Sequence, residues 1–222
     1  MLPASFILLT LATLLLFYLT TSGNRCALIF PFAWLFLVGI PAYYGFFENT
    51  NSFPPRFIII FAGIIIMIFY LYRRLKQVRF NLHYALLIHA LRLPVEIGLE
   101  QLYQKGLIPQ LMTYHGWNFD ILIGITAILL WILYTLNKIQ LNSKLLVAWN
   151  IAGMITLCNI VTLAILPSPL PMQLLAFNQP NIAVLQFPYI FLPACIVPIV
   201  FLTHLLSIRQ IKRQLHLQLV HS

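Results

Sequence analysis

The stretch "LIHALRLPVEIGLEQ", residues 87–101, puts an arginine, two glutamates and a histidine inside an otherwise apolar segment. Successive helical residues turn by about 100°, so His89, Arg92, Glu96 and Glu100 fall within about 80° of arc and share one face. Glutamate and histidine can bind a polar ligand or move a proton, and a nearby arginine can set the charge state of a carboxylate. Arg92 and Glu96 stand four residues apart and are expected to neutralise each other, although arginine preceding glutamate is the weaker order. Pro94 adds to the polar demand, because it lacks an N–H and leaves the carbonyl of Ala90 without its helical partner. The stripe reads either as an ion pair locking this helix to its neighbours or as a ligand, ion or acid/base site.

Other polar groups fall at depths where they could join it. In "TYHGWNFDILIG" Asn118 can cap a helix and Asp120 sits in the first turn, near the level of Glu100. In "NIAVLQFPYIFLPACIVPIVFLTH" Pro188, Pro193 and Pro198 free the carbonyls of Val184, Tyr189 and Ala194, and this kinked helix is expected to turn Gln186 and Tyr189 toward the stripe. The candidate ligand-binding set is therefore His89, Arg92, Glu96, Glu100, Asp120, Gln186 and Tyr189. Asn150, Thr156, Asn159 and Thr162 read as hydrogen-bonding groups that join helices. No metal site is expected, since the spacing of His89, Glu96 and Glu100 matches no ligand motif and Cys26, Cys158 and Cys195 show no CxxC spacing. No G-x-S-x-G, H-E-x-x-H or Walker sequence is present, and nothing nominates a catalytic nucleophile or a cofactor. Retinal is disfavoured because the last apolar segment has no lysine.

The elements that must position these residues are membrane spans. Of 222 residues, 61% are hydrophobic and 8% charged, against about 45 to 50% and about 25% in soluble domains. Apolar windows near 3–21, 27–46, 56–73, 82–103, 118–137, 144–166 and 182–207 predict an all-α bundle of seven transmembrane helices over 1–207. A basic amphipathic tail follows at 208–222. The first segment has no Lys or Arg before Arg25, so it is expected to remain as a span and not to be a cleaved leader.

Cytoplasmic loops attract Lys and Arg. With the N-terminus outside and the C-terminus inside, the inner loops receive Arg25, Arg73, Arg74, Lys76, Arg79, Lys138, Lys144, Arg209, Lys212 and Arg213, and the outer ones only Arg56 and Lys105. The net charge of +9 is thus distributed by topology, and nucleic acid is not an expected partner. The tail, with Ile208, Ile211, Leu215 and Leu219 at steps of three and four, is expected to lie on the anionic inner leaflet of the bilayer. The uncharged, proline-rich "PSPLPMQLLAFNQPN" is expected to cap the outer mouth, with Met172 to Phe177 dipping into the interface.

The stretches "RLPVE", "NFDILIGITA", "LLVAWN" and "NQPNIAVLQFPYIFLPACIVPIVFLTHLLSIRQ" resemble a family of bacterial multi-pass membrane proteins of uncharacterised function, over residues 82–211. The resemblance implies a bacterial inner-membrane protein and carries no activity or site residue with it. Three functions stay open. The first is ligand sensing or small-solute transport through a polar cavity between the helices near 82–103, 118–137 and 182–207, open outward to a small polar ligand. The second is an enzyme acting on a lipid or lipid-linked substrate, and the third a structural subunit whose stripe pairs with another protein. A cavity reaching Glu96, a cleft open sideways to lipid, and a stripe on the exterior would respectively mark them.

Overall fold

The computed structural model describes residues 2–50, 52, 54–136 and 143–220. The helices are α1 (Leu2–Thr20), α2 (Arg25–Tyr43), α3 (Ile58–Leu75), α4 (Leu82–Ala90), α5 (Arg92–Gln104), α6 (Asp120–Thr135), α7 (Ser143–Ile165) and α8 (Val197–Val220), with no strand among the described residues. Lys138 and the side chains of Leu215, His216 and Leu219, on which part of the charge count and of the tail's amphipathic reading rests, lie outside the described residues.

Local chemistry sets the helix starts. Asn24 Oδ1 accepts from Cys26 N at 2.9 Å and caps α2, and Asn81 Oδ1 accepts from His83 N at 3.0 Å and caps α4. The span expected at 82–103 exists as one rod broken at Leu91, between α4 and α5. Its amide bonds both Leu87 O and Ile88 O, three residues before the proline that cannot continue the ladder.

Among the described residues six helices are long and apolar enough to cross a membrane, counting α4 and α5 together. The exception is α6, whose 16 residues extend about 24 Å, short of a hydrocarbon core of about 30 Å. The exterior is apolar: Leu37, Ile65 and Ile155 are 68%, 67% and 64% exposed. Inside, α1 is central, with Phe6, Thr13 and Phe17 wholly buried.

The last segment differs from the continuous kinked helix expected over 182–207. Residues 182–191 form a 3-10 turn (Ala183–Leu185) and irregular turns, a π turn follows at Leu192–Ile196, and α-helix begins only at Val197. Three prolines within eleven residues remove the amides that an α-helix would use. The carbonyl of Ala194, freed by Pro198, accepts from Trp34 Nε1 of α2 at 3.0 Å. Trp34 reaches it by crossing Gly63 of α3, where any Cβ would overlap the indole ring. From Val197 onward the helix runs to Val220 without a break at 207, so the basic tail continues α8.

The 167–181 segment is tied down. Ile182 N and Ala183 N donate to Leu107 O, Gln179 Nε2 donates to Tyr103 O and Ile108 O, and Asn181 Nδ2 donates to Ala164 O. Met172, Leu174 and Phe177 stand exposed at its tip.

Candidate functional site

Arg92, at the first turn of α5, is the hub of a network drawn from four rods. Its Nη1 donates to Asp120 Oδ1 of α6 at 2.8 Å and to Thr156 Oγ1 of α7 at 3.1 Å. Its Nη2 donates to Gly153 O of α7 at 3.1 Å and meets His204 Nε2 of α8 at 2.9 Å. Arginine can only donate, so His204 Nε2 accepts and the ring proton sits on Nδ1. That proton is donated to Asn150 Oδ1 at 2.9 Å, and Asn150 Nδ2 donates in turn to Leu146 O at 2.8 Å. The bonds thus assign His204 as a neutral imidazole of defined tautomer. Arg92 is 4% exposed and His204 0%; both Nη groups of the arginine are partnered while its buried Nε is not, and a charge is sustained at such burial only where it is paired.

Small residues make the approach possible. A Cβ on Gly153 would overlap the His204 ring, so glycine there lets α8 bring the imidazole against the α7 backbone. His89 of α4 stacks on His204 with ring centroids 3.8 Å apart and planes at 20°, and Trp149 closes on His89 edge-first at 5.4 Å. Both ring nitrogens of His89 are buried without a hydrogen-bond partner.

The expected pairing of Arg92 with Glu96 is not the one formed. The arginine's carboxylate is Asp120, and no ion pair joins it to Glu96. Glu96 instead accepts from Asn118 Nδ2 on both oxygens, at 2.7 and 2.8 Å, while the same amide reaches Met112 O at 3.0 Å. Asn118 Oδ1 accepts from Asp120 N at 3.1 Å and so links the Glu96 and Arg92 groups, although the residue at the N-cap of α6 is Phe119, one place later than expected, and its side chain makes no cap. The physical reason is reach: an arginine at the start of α5 extends sideways toward α6 and α8, where four acceptors converge, whereas a partner on its own helix would satisfy fewer donors.

Of the candidate set, His89, Arg92 and Asp120 come together and Glu96 joins through Asn118. The other three do not. Glu100 is half-buried, with Oε1 accepting from Gln104 at 3.4 Å and Oε2 unpartnered. Gln186 and Tyr189 lie in the non-helical segment, and no hydrogen bond ties either side chain to the network; Tyr189 packs edge-on against Phe6 at 5.2 Å. Sequence reasoning read Asn150 and Thr156 as groups that join helices, and they do bond His204 and Arg92 of other helices; it missed His204, Gly153 and the link that Asn118 makes to Glu96. A signal was present, since Asn150, Gly153 and Thr156 recur at steps of three on α7. No group of metal-ligating residues occurs among the described residues.

Above the network lies a groove of about 460 Å³, within the range of about 300 to 1,000 Å³ common to ligand pockets. Phe61 and Ile64 of α3, Leu99 of α5, Val161 of α7, and Val197 and Phe201 at α8 form its walls. It opens on the outside of the bundle, where its lining residues Cys158 and Thr162 are exposed. Three polar groups along it are turned onto backbone: Thr162 donates to Cys158 O, and Ser168 and Asn181 both donate to Ala164 O; Tyr189 of the candidate set also lines it.

Residues 55–212 match the model of a family described as Domain of unknown function (DUF8737). The chain belongs to this family. The DUF8737 region starts just before α3 and contains every member of the Arg92 network, while α1 and α2 precede it. No curated protein and no solved structure matches the chain.

Proposed function

We propose that this protein is a seven-span protein of the bacterial inner membrane, N-terminus outside and C-terminus inside, that senses or carries a lipid-borne hydrocarbon chain held in the groove between α3, α7 and α8. The groove carries this reading: its walls are apolar, and its mouth faces the side of the bundle where lipid would lie. A hydrocarbon chain entering from a bilayer leaves an apolar medium, so packing contacts and the fit of the walls would supply the selectivity. The polar residues favour this placement of the ligand, because both Nη groups of Arg92 already have protein partners, Glu96 is held by Asn118, and the unpartnered ring nitrogens of His89 are buried between His204 and Trp149.

The network has a mechanical role in this reading. Arg92 of α5, Gly153 and Thr156 of α7, and His204 of α8 hold together the three helices that also supply Leu99, Val161 and Phe201 to the groove. α6 is the seventh span, its 16 residues completed by the hydrogen-bonded turns that precede it. The ten-to-two distribution of Lys and Arg supports the orientation.

Photolabelling tests the ligand. A diazirine-bearing phospholipid, activated with the protein in membranes, is expected to label peptides spanning 57–68 and 157–165, and Val161→Trp is expected to suppress that labelling. Labelling spread evenly over the exterior and indifferent to Val161→Trp would overturn the reading. Single cysteines at 47–55 or 168–180 are expected to react with an impermeant maleimide from outside, and one at 75–79 is not.

A further inference from the structure

At the opposite end of the bundle from Glu48 and Glu100, α3 and α8 enclose a pocket of about 350 Å³ lined by Lys76, Gln77, Arg209 and Arg213. The chain has only four acidic residues. Glu96 and Asp120 are buried in the network, and Glu48 and Glu100 lie at the other end, so no aspartate or glutamate can balance these cations. Among the described residues neither the Lys76 ammonium nor the Arg213 guanidinium has a hydrogen-bond or ion-pair partner.

Arg209 is the built part of this pocket. Its Nε donates to Lys76 O at 2.9 Å, satisfying a carbonyl at the C-terminus of α3, and its Nη1 lies 3.5 Å from Tyr72 Oη. Those contacts fix the guanidinium plane on the backbone of α3, while Nη2 has no protein partner among the described residues. Arg213 follows one turn later on α8, and Lys76 faces both from α3. Nearby, Arg73 and Arg74 lie over the rings of Phe69 and Tyr70 at 4.5 and 5.6 Å. Aromatic rings under cationic heads are the arrangement expected at headgroup depth.

We propose that Lys76, Arg209 and Arg213 form a site for the phosphate of an anionic lipid headgroup in the inner leaflet. A pre-oriented guanidinium donates in a fixed fork suited to phosphate oxygens, and the two flanking cations neutralise its charge. Inorganic phosphate shares this chemistry but lacks the chains that would hold the headgroup at this depth. The lipid as source rests on the membrane orientation proposed above.

The test is thermal unfolding of the purified full chain in neutral detergent, titrated with phosphatidylglycerol, phosphatidylcholine or inorganic phosphate. Phosphatidylglycerol is expected to raise the melting temperature saturably by about 3 to 6 °C, and phosphatidylcholine is not. Arg209→Gln with Arg213→Gln should remove at least half of the rise, whereas Arg25→Gln with Arg79→Gln, an equal loss of exposed positive charge, should retain it. Lys76→Gln, which breaks no hydrogen bond, provides the same reading if the double variant does not fold. An unchanged rise in the Arg209 and Arg213 variant would overturn the site. The same rise with inorganic phosphate alone would overturn the lipid as its occupant. Groove labelling and this shift are read on different residues, so failure of one leaves the other measurable.

Discussion

The Arg92 network and the apolar groove share α5, α7 and α8, yet use the same residue types in opposite ways. Thr156 and Thr162 lie six residues apart on α7. Thr156 accepts from Arg92 of another helix while donating to Gly153 O, whereas Thr162, at the groove, donates to Cys158 O one turn back on its own helix. Asn150 belongs to the network in the same way, since it fixes the tautomer of a buried histidine, whereas Asn181 by the groove ties a loop to Ala164 O. The threonine beside the buried charge is recruited across the interface, while the one six residues on bonds its own backbone.

The sharpest way to test that difference is to remove the charge. Arg92→Met leaves Asp120 buried without its counter-ion and is expected to lower stability by about 3 to 5 kcal/mol, measured by thermal or denaturant unfolding in detergent. Adding Asp120→Leu should recover most of that loss, giving strong coupling in a double-mutant cycle. The same cycle between Arg92 and Glu96 should show much weaker coupling, because Glu96 is held by Asn118. Strong coupling to Glu96 would return the pairing to the single helix face on which the two residues stand.

A smaller effect is expected where the helices meet around these regions. Trp34→Phe strands the Ala194 carbonyl beside the groove, at a cost of about 1 to 3 kcal/mol, and should loosen the α3 wall enough to broaden photolabelling. Gly153→Ala forces a methyl into the His204 ring, with a similar loss of about 1 to 3 kcal/mol. The two differ in their readout: the first should disturb the groove before the network, and the second should raise proton exchange at the His204 ring with groove labelling retained.

Groove substitutions should be mildest in stability and largest in ligand contact. Thr162→Trp sits on an exposed position and is expected to change stability by less than about 0.5 kcal/mol, while blocking lipid labelling of the 157–165 peptide. A large stability loss there would mean that the groove wall is part of the core and would erase the contrast with the network.

Composition and periodicity by themselves determined that the chain forms apolar helices, because 20-residue hydrophobic runs leave the backbone no partner but itself in an apolar medium. They also marked Arg92 and Glu96 as groups that had to face inward, since an unpaired charge in such a helix is too costly to leave toward lipid. The freed carbonyl of Ala194 was legible from Pro198 alone. Which groups answer those demands was decided only by the tertiary structure. The indole of Trp34 comes from 160 residues away, and His204 meets Arg92 across 112, separations that no local period encodes. The sequence spacing favoured Glu96 as the partner of Arg92 because both lie on one helix face. Packing placed Asp120, Thr156, Gly153 O and His204 around the guanidinium together, and four acceptors with good geometry outweigh one carboxylate on the same helix.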